Sequence, residues 1–307
     1  MRLAHAAKEL HQLSQPICAA IGVFDGLHLG HREILRRMRD QAGLCGGTSS
    51  VITFDRHPNA VVAPERVPPI ISPLRQRLRL MEGLGVDAVL VLPFDVPLSK
   101  VGGEDFIRGL AADMGSLRSL TVGEEFTFGH KRSGDVALLK HLGAELGFTV
   151  DPVAGVELHG QRVSSTRIRE LIQSADFGAA ARLLGRRWTL VGGVVIGDQL
   201  GRQIGFPTAN LATNGLVLPP HGVYAGRVQV DGTSWKVALN IGVRPTVDQP
   251  APQLRVEAHL IDFSGELVGQ ELEIELLERL RPEMKFASFD ALRAQIAADV
   301  EAVRRLP

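Results

Sequence analysis

The sequence predicts a doubly wound α/β domain with a parallel sheet, followed by a small antiparallel β domain that ends in a helix. Three observations support this. Residues 17–150 alternate continuous apolar runs with helical patterns, as strands buried on both faces of a parallel sheet do. After Gly185 the helical periodicity ends, and strand-like segments recur between turn residues. The end of the chain is an amphipathic helical pattern.

Each element of the α/β domain follows from its local pattern, and the ranges here come from sequence alone. The predicted strands are "ICAAIGVF", "TSSVITF", "VDAVLVLPF", "SLTVGEEF" and "TVDPVAGV". The predicted helices between them are "HREILRRMRDQAG", "LRQRLRLMEGLG", "EDFIRGLAADMG" and "DVALLKHLGAELG". A last helical stretch runs through "STRIRELIQSADFGAAARLLG". We therefore expect helices on both faces of the sheet.

The second part reads as an antiparallel sheet or barrel. Its predicted strands are "WTLVGGVVIG", "GVYAGRVQVDG", "SWKVALNIG", "LRVEAHLIDF" and "ELEIELLERL". Several alternate apolar and polar residues between turn signals such as "VDGTSW" and "DFSGEL", which is typical of antiparallel strands. The final helix has Ser288 or Asp290 as its cap. We predict two domains, residues 1–185 and 186–307.

Composition limits the functional classes. The 307 residues carry 34 basic and 34 acidic side chains, so no global field favours nucleic acid or an anionic membrane. The two cysteines, Cys18 and Cys45, are too few for a disulfide framework and lack metal-ligand spacing. Because there is no signal-peptide-like start and no long apolar run, we expect a cytoplasmic protein without a membrane or nucleic-acid partner.

A turn rich in glycine and histidine, "GVFDGLHLGH", follows the first buried strand. In an open parallel sheet, ligands bind beyond the carboxyl ends of the strands. Gly26 and Gly30 let backbone approach a ligand, the helix start offers free N–H groups to an anion, and His28 and His31 add imidazole donors. The alternative is that both histidines are surface or capping residues. Later, "VSSTRIRE" places hydroxyls and arginines at another helix start, where Ser164 or Ser165 could simply be an N-cap.

Four motifs in this order, "GVFDGLHLGH", "TFDRHP", "VGEEFTFGHKRSGD" and "VSSTRIRELI", resemble the FAD synthetase half of bacterial bifunctional riboflavin kinase/FAD synthetases, within the nucleotidyltransferase superfamily. The resemblance covers most of residues 17–185 and implies a Rossmann-like nucleotidyltransferase domain. It also implies transfer of AMP from ATP to the phosphate of FMN, giving FAD and pyrophosphate. The FMN phosphate attacks directly, so catalysis consists of alignment and charge stabilisation.

The resemblance also implies which residues of this domain bind substrates. His28 and His31 would contact the ATP phosphates, while Ser165, Thr166 and Arg169 would hold the β- and γ-phosphates; His28, His31 and Arg169 are the catalytic candidates. The remaining ATP-binding candidates are Gly22, Phe24, Asp25 and Gly26.

The flavin-binding candidates of this domain are Phe126, Phe128 and Arg132. We expect Phe128 to be the better of the two aromatic contacts, because Gly129 beside it indicates an exposed loop; core packing is the alternative for both rings. The sequence departs from the family pattern at Glu125, where the family has Asp or Asn. That departure affects local flavin contacts and not the phosphate chemistry.

A second glycine-rich segment, "GDQLGRQIGFPTANL", lies in the β domain. Thr208 and Asn210 present a hydroxyl and an amide oxygen, which are neutral oxygen ligands suited to Mg²⁺ that already carries nucleotide phosphates. A purely structural turn is the alternative. The segment resembles the riboflavin kinase signature, and "HGVYAGRV", "NIGVRPT", "RVEAHLIDF" and "LRPEMKF" fit the same family, which implies a six-stranded barrel. The kinase ATP-binding candidates are Gly197, Gly201, Arg202, Gly205, Pro207, Thr208 and Asn210.

Glu257 is the candidate general base of this second site. Alternation in "RVEAHLIDF" puts Glu257 and His259 on the face opposite Val256 and Ala258. The family resemblance implies that Glu257 takes the proton of the ribityl 5′-hydroxyl as that oxygen attacks the γ-phosphate. The alternative is a solvated strand carboxylate paired with an arginine. The kinase flavin-binding candidates are Arg281, Glu283 and Phe286, next to Met284, where the family often has a polar residue.

The favoured hypothesis is therefore a two-step enzyme that phosphorylates riboflavin to FMN and adenylylates FMN to FAD. Its partners are riboflavin, FMN and ATP with Mg²⁺, and flavins are substrate and product. An active kinase with an inactive first domain, or a flavin-binding protein without turnover, are the alternatives. The sequence leaves the oligomeric state open, with a transient homo-oligomer as one option.

Overall fold

The structure is a computed structural model that describes residues 1–12, 15–197, 201, 205–244 and 253–306. The chain forms two compact units, Met1–Ser165 and Thr166–Pro307. The first unit holds a six-stranded parallel sheet with strand order β1-β4-β3-β2-β5-β6. These strands are β1 (Arg2–Ala4), β2 (Ile17–Ile21), β3 (Thr48–Phe54), β4 (Ala88–Leu92), β5 (Leu117–Gly123) and β6 (Thr149–Val153).

Helices and a small hairpin complete the first unit. The helices are α1 (Ala7–His11), α2 (Leu29–Cys45), α3 (Asn59–Val62), α4 (Leu74–Gly83), α5 (Val96–Ser99), α6 (Gly103–Met114) and α7 (Val136–Leu146), and the hairpin strands are β7 (Glu157–Leu158) and β8 (Gln161–Arg162). Two separate apolar clusters contain the sheet residues: one includes Ile17, Ala19 and Ile52, the other Cys18, Ala20 and Val51. Since neighbouring residues of a strand point to opposite faces, the sheet is covered on both sides, as the sequence predicted.

The sheet order places the loop after β2 at a topological switch point. From β2 the chain moves to β3 and β4 on one side, and it then returns to β5 on the other side of β2. Connections that leave in opposite directions open a crevice at the carboxyl ends of the strands. The motif "GVFDGLHLGH" begins there, because Gly22 directly follows the last residue of β2.

The second unit is a closed antiparallel barrel with strand order β10-β13-β12-β11-β14-β9. Its elements are α8 (Ser165–Gln173), α9 (Phe177–Leu184), β9 (Thr189–Val195), β10 (Ala209–Ala212), β11 (Gly222–Val230), β12 (Thr233–Arg244), β13 (Gln253–Leu260), β14 (Glu271–Pro282) and α10 (Phe289–Arg305). Ser288 caps α10 by accepting the N–H of Ala291 at 3.2 Å. The six-stranded barrel and the final helix confirm the predicted fold.

The last helical stretch that the sequence predicts differs from the structure in two details. The last helical stretch of the α/β pattern forms two helices, because the chain turns at Ala175, with φ +59°, before Asp176 caps α9. Both helices belong to the barrel unit: Phe177 of α9 stacks on Trp188 and packs edge-on against Tyr224. The compact units thus divide after Ser165, and the domain boundary at 185 stays a prediction.

The cysteines form no disulfide with each other; Cys18 Sγ and Cys45 Sγ lie 3.6 Å apart. Among the described residues, no helix has the length and apolar composition that a membrane crossing needs.

Candidate functional sites

The first candidate site is a cavity of about 580 Å³ in the first unit, at the switch point of the sheet. Its size is within the usual range for small-molecule pockets. Three of the four family motifs contribute to its lining. The lining residues include Gly22, Phe24, His28, Gly30, His31, Phe126, Arg162, Ser164 and Ser165.

His28 and His31 form the polar centre of this cavity. His28 is the N-cap of α2, and its Nδ1 accepts the backbone N–H of His31 at 3.2 Å. The two imidazoles stack, with ring centroids 3.6 Å apart and an angle of 16° between the planes. Because His28 Nδ1 is an acceptor, the neutral ring carries its proton on Nε2. His28 is therefore an N-cap, as the alternative interpretation of the sequence expected. It also lines the cavity.

The Nδ1 of His31 is buried and has no hydrogen-bond partner among the described residues. Burial lowers the pKa of His31 well below its ordinary value, and the neighbouring His28 and Arg77 lower it further. A buried polar atom without a partner is uncommon. His31 is therefore a neutral imidazole at pH 7, and it belongs to the cavity lining.

The loop between β2 and α2 has an unusual backbone conformation. Phe24, Gly26 and Leu27 all have positive φ, at 52°, 82° and 44°. Such conformations persist only where surrounding contacts impose them. The Asp25 carboxylate accepts N–H groups of Ile71 and Ser72 at 3.0 to 3.1 Å, and it is only 5% exposed.

Asp25 and Gly26 were both predicted to bind ATP, but neither is among the described residues that line the cavity. Asp25 instead fixes the loop that carries the histidines. Ser165 joins the same loop, because its hydroxyl donates to the Asp25 carbonyl oxygen at 3.0 Å. Thr166 and Arg169 follow Ser165 on α8, in the second unit, and their contacts with phosphate stay predictions.

The flavin-binding candidates of the first unit occupy different surroundings. Phe126 lines the cavity, whereas Phe128 is only 9% exposed and belongs to the core cluster. The expectation of an exposed loop at Phe128 is wrong, because the ring packs where a Cβ on Gly134 would lie 2.5 Å from its Cζ. Arg132 is exposed and is not among the described cavity-lining residues. Phe126, which stacks on Phe128 with centroids 5.3 Å apart, is the better placed aromatic contact.

Arg162 is a lining residue that sequence reasoning missed. Its Nη1 lies 2.6 Å from Glu125 Oε2, and both side chains line the same cavity. The hydrogen bond from Arg162 is the main reason why the pKa of Glu125 is lowered. The only sequence signal was the departure from Asp or Asn at Glu125, which pointed to the segment but not to its arginine partner.

The second candidate site is a cavity of about 420 Å³ on the outer face of the barrel, beside α10. Its described lining contains the candidate base and the three flavin-binding candidates. The relevant lining residues are Gly201, Thr208, Asn240, Glu257, His259, Arg281, Glu283, Phe286, Phe289, Leu292, Ile296 and Asp299. The helix α10 contributes the apolar residues Phe289, Leu292 and Ile296 to this lining, and it also contributes Asp299.

The barrel register aligns the functional candidates in a single row. Asn210 pairs with Glu257, Glu257 with Asn240, Asn240 with Val223, and Val223 with Arg281. Directly paired residues point to the same face of a sheet, with Cα atoms about 4.5 to 5.5 Å apart. The candidate metal ligand, the candidate base and the candidate flavin residue thus follow one another across five adjacent strands.

A third cavity, of about 640 Å³, adjoins the second one through Thr208, which lines both. Its described lining includes the predicted ATP-binding residues Gly197, Pro207, Thr208 and Asn210. Gly201 lies against the same segment, because a Cβ there would be 3.2 Å from Thr208 Oγ1. Gly205 has a φ of +88°, which favours glycine. Arg202, also predicted to bind ATP, lies outside the described residues.

Contacts from outside the motifs hold the flavin candidates. Arg281 donates to both carboxylate oxygens of Asp299, on α10, at 2.7 to 3.0 Å, and its guanidinium lies 5.8 Å from the Phe286 ring centroid. The Glu283 carboxylate packs against Gly242, where a Cβ would lie 2.6 Å from Glu283 Oε1. Asp299 was missed in the sequence because it lies inside an amphipathic helix without any motif.

The fold and these cavities define a nucleotidyltransferase unit followed by a flavokinase-type barrel, and comparison with known proteins agrees. The FAD synthetase family model matches residues 10–167, and the riboflavin kinase family model matches residues 184–306. The chain belongs to the bifunctional riboflavin kinase/FMN adenylyltransferase family.

Curated relatives of that name match over nearly the whole chain. The Pseudomonas fluorescens protein is 40% identical, over 100% of this chain and 98% of its own. The Escherichia coli K12 protein is 37% identical, over 97% and 96%. The protein thus has both activities of its family: it phosphorylates riboflavin to FMN and adenylylates FMN to FAD.

Among solved structures, a macrolide-efflux protein from Streptococcus pneumoniae matches with a TM-score of 0.83 and 28% identity, over 99% of both chains. That name describes the Streptococcus protein. The two family models and the curated relatives agree on flavin chemistry for this chain.

Proposed function

We propose that each reaction has its own site: FMN adenylylation takes place in the cavity of His28 and His31, and riboflavin phosphorylation in the cavity of Glu257. The observation that carries the proposal is the row Asn210, Glu257, Asn240, Val223 and Arg281 on the barrel, which lies in a different compact unit from the histidines. The proposed family domains remain residues 1–185 and 186–307.

The two sites differ because their nucleophiles differ. A hydroxyl such as that of the ribityl chain must lose a proton as it attacks phosphorus, so the kinase site needs a base. Glu257 lies in the cavity wall between Asn210 and Asn240 in the strand register, and can accept that proton. The phosphate of FMN is already an anion at pH 7, so the first site needs donors and alignment instead. His28 and His31 are suited to that role as hydrogen-bond donors, and both line the cavity.

The two adjoining cavities of the barrel support a placement of the kinase substrates. Riboflavin occupies the one with the apolar wall from α10, next to Arg281, Glu283 and Phe286. ATP occupies the one lined by Gly197, Pro207 and Asn210. Thr208 borders both, so the γ-phosphate and the 5′-hydroxyl meet beside it. In the first unit, ATP and FMN share a single cavity, with Phe126 as the aromatic contact.

The residues at the junction fit a magnesium ion bound to ATP. Thr208 directly precedes β10 and Asn210 lies on it, and both residues line the third cavity. A hydroxyl and an amide oxygen, with phosphate oxygens and water, are ligands that Mg²⁺ accepts. Glycines leave room beside both: a Cβ on Gly197 would lie 2.8 Å from Asn210 Oδ1. When bound, Mg²⁺ neutralises charge on the phosphates. Among the described residues there is no cluster of three His, Cys, Asp or Glu side chains that could form a separate metal site.

The cytoplasm is the proposed location, because both reactions consume ATP. Riboflavin, FMN and ATP are the proposed partners, and the oligomeric state stays open.

A reciprocal experiment tests the assignment of sites. His28→Ala and Glu257→Ala are each supplied with riboflavin and Mg·ATP, and separately with FMN and Mg·ATP, and the flavins are separated chromatographically. We expect His28→Ala to make FMN at the normal rate and to lose FAD formation by about 10²- to 10³-fold. We expect Glu257→Ala to make FAD from FMN at the normal rate and to lose formation of FMN from riboflavin. Loss of both activities in one folded variant would refute separate sites.

A further inference from the structure

Arg77, on α4, is a buried arginine that contacts Val23, a lining residue of the first cavity. It is only 4% exposed. Its Nη1 donates to the Val23 carbonyl oxygen at 2.5 Å and to Thr53 Oγ1 at 3.1 Å, and its Nη2 donates to the Phe54 carbonyl oxygen at 3.3 Å. It thus connects the carboxyl ends of β2 and β3.

These contacts join two motifs that are far apart in the sequence. Val23 belongs to "GVFDGLHLGH", which carries both histidines, whereas Thr53 and Phe54 belong to "TFDRHP". The second motif had no assigned role. Here it supplies fixed acceptors for a guanidinium that holds the first turn of the histidine loop. Since that loop has three residues with positive φ, it needs such external contacts to keep its conformation.

The positive charge of Arg77 is buried. Among the described residues it forms no ion pair; Asp25 acts on it only through space, and its Nε is buried without a hydrogen-bond partner. Burial accordingly lowers the pKa of Arg77. A buried cation without an ion-pair partner destabilises the folded state. Arg77 contacts the loop of His28 and His31, which is the proposed triphosphate site. A positive charge in a low-dielectric wall stabilises phosphate charge, which would explain why the buried cation is kept.

We infer that Arg77 is a positioning residue for adenylyl transfer: it fixes the loop of His28 and His31 and places a positive charge beneath the phosphates. The inference rests on the proposed location of adenylyl transfer in this cavity. Arg77 does not line the described cavity wall, so it acts through the loop and its field and not by contact with substrate.

The test compares Arg77→Gln, Arg77→Lys and Arg75→Gln in the full chain, with His28→Ala alongside. Arg75 is an exposed arginine on the same helix, so Arg75→Gln controls for loss of a charge on α4. The measurements are kcat and KM for FAD formation, kcat for FMN formation as an internal control, and the melting temperature.

We expect Arg77→Gln to lower kcat/KM of FAD formation about tenfold to a hundredfold, as displacement of a catalytic loop does, mainly through kcat. FMN formation and Arg75→Gln should stay within about twofold of wild type, and Arg77→Lys should recover part of the loss because it keeps the charge.

Two results would overturn the inference. Either Arg77→Gln behaves like Arg75→Gln, or FAD formation by Arg77→Gln and Arg77→Lys falls only in proportion to the fraction of unfolded protein. If His28→Ala itself retained FAD formation, the proposed location of the site would fail instead, so the two failures are distinguishable.

Discussion

His28 and His31 lie face to face, with ring centroids 3.6 Å apart, and the backbone N–H of His31 donates to Nδ1 of His28. One residue therefore serves two purposes, since the imidazole of His28 both caps α2 and forms part of the proposed phosphate site. Any test of its chemistry must separate these roles.

Substituting His28 by Asn and by Ala separates them. Asn is a good N-cap, whereas Ala is a poor one, so only His28→Ala should lose about 1 kcal/mol of stability. Both should lose FAD formation by about 10²- to 10³-fold, the range for removal of one oxyanion donor. Chromatographic flavin assays and denaturant unfolding check this.

Ser288→Ala provides the matched control, because it removes the cap of α10 in the other unit. It should lower stability without affecting FAD formation. An active His28→Asn variant would show that capping alone is what His28 contributes.

The low pKa of His31 predicts an acid-sensitive first unit. The unfolded chain binds a proton near pH 6.5, while the native ring stays neutral to a lower pH because of burial and the charges of His28 and Arg77. The stabilising contribution is complete above pH 6.5 and is lost as the pH falls towards the native pKa. Histidine-selective NMR should show a neutral His31 ring at pH 6. His31→Gln should weaken the loss of stability with falling pH, whereas His141→Gln, at an exposed histidine, should not.

The functional motifs could be predicted from the sequence, but the residues that contact them from distant parts of the chain could not. The glycine and histidine turn, the Thr-Ala-Asn segment and the alternation around Glu257 are local patterns, and the fold places them at cavities. Arg77 and Asp299 act through contacts 54 and 18 residues away in sequence, which no local pattern encodes. The prediction of an exposed Phe128 was wrong for a related reason. Gly129 indicated a turn, but packing of the Phe128 ring against Gly134 depends on tertiary structure.

The contact between Arg281 and Asp299 predicts a strong stability effect. Both side chains are largely buried and hydrogen bonded, so Asp299→Asn leaves an arginine without its counter-charge. We expect a loss of about 3 to 5 kcal/mol and a higher KM for riboflavin. Both tryptophans, Trp188 and Trp235, lie in the second unit, so tryptophan fluorescence in urea reports its unfolding.

Asp262→Asn is the matched control, since its partner Arg304 forms an exposed pair at 2.6 Å. Exposed pairs contribute about 1 kcal/mol or less. Equal losses of stability in the two variants would show that the buried pair contributes no more to stability than the exposed pair does.

Substitution of Thr208 or Asn210 should change the Mg²⁺ dependence of FMN formation. If both oxygens bind Mg²⁺ with ATP, then Thr208→Ala and Asn210→Ala each remove one ligand. We expect the Mg²⁺ concentration for half-maximal FMN formation to rise several-fold, without a change for FAD formation. Thr233→Ala, at an exposed threonine on β12, should leave both titrations unchanged. An unshifted Mg²⁺ titration in both variants would remove these residues from the metal site.

The ion pair between Glu125 and Arg162 predicts a change in substrate affinity without a change in stability. Both side chains are exposed, so loss of the 2.6 Å contact should leave the melting temperature unchanged. Glu125 nevertheless holds a guanidinium that could otherwise bind a substrate phosphate in the same cavity. Glu125→Asn should therefore lower KM for FMN or ATP in FAD formation, and Arg162→Ala should raise it. Glu145→Gln breaks a similar exposed pair with Arg108, at 2.7 Å, and should not change KM. If Glu125→Asn matched that control, Arg162 would have no part in substrate binding.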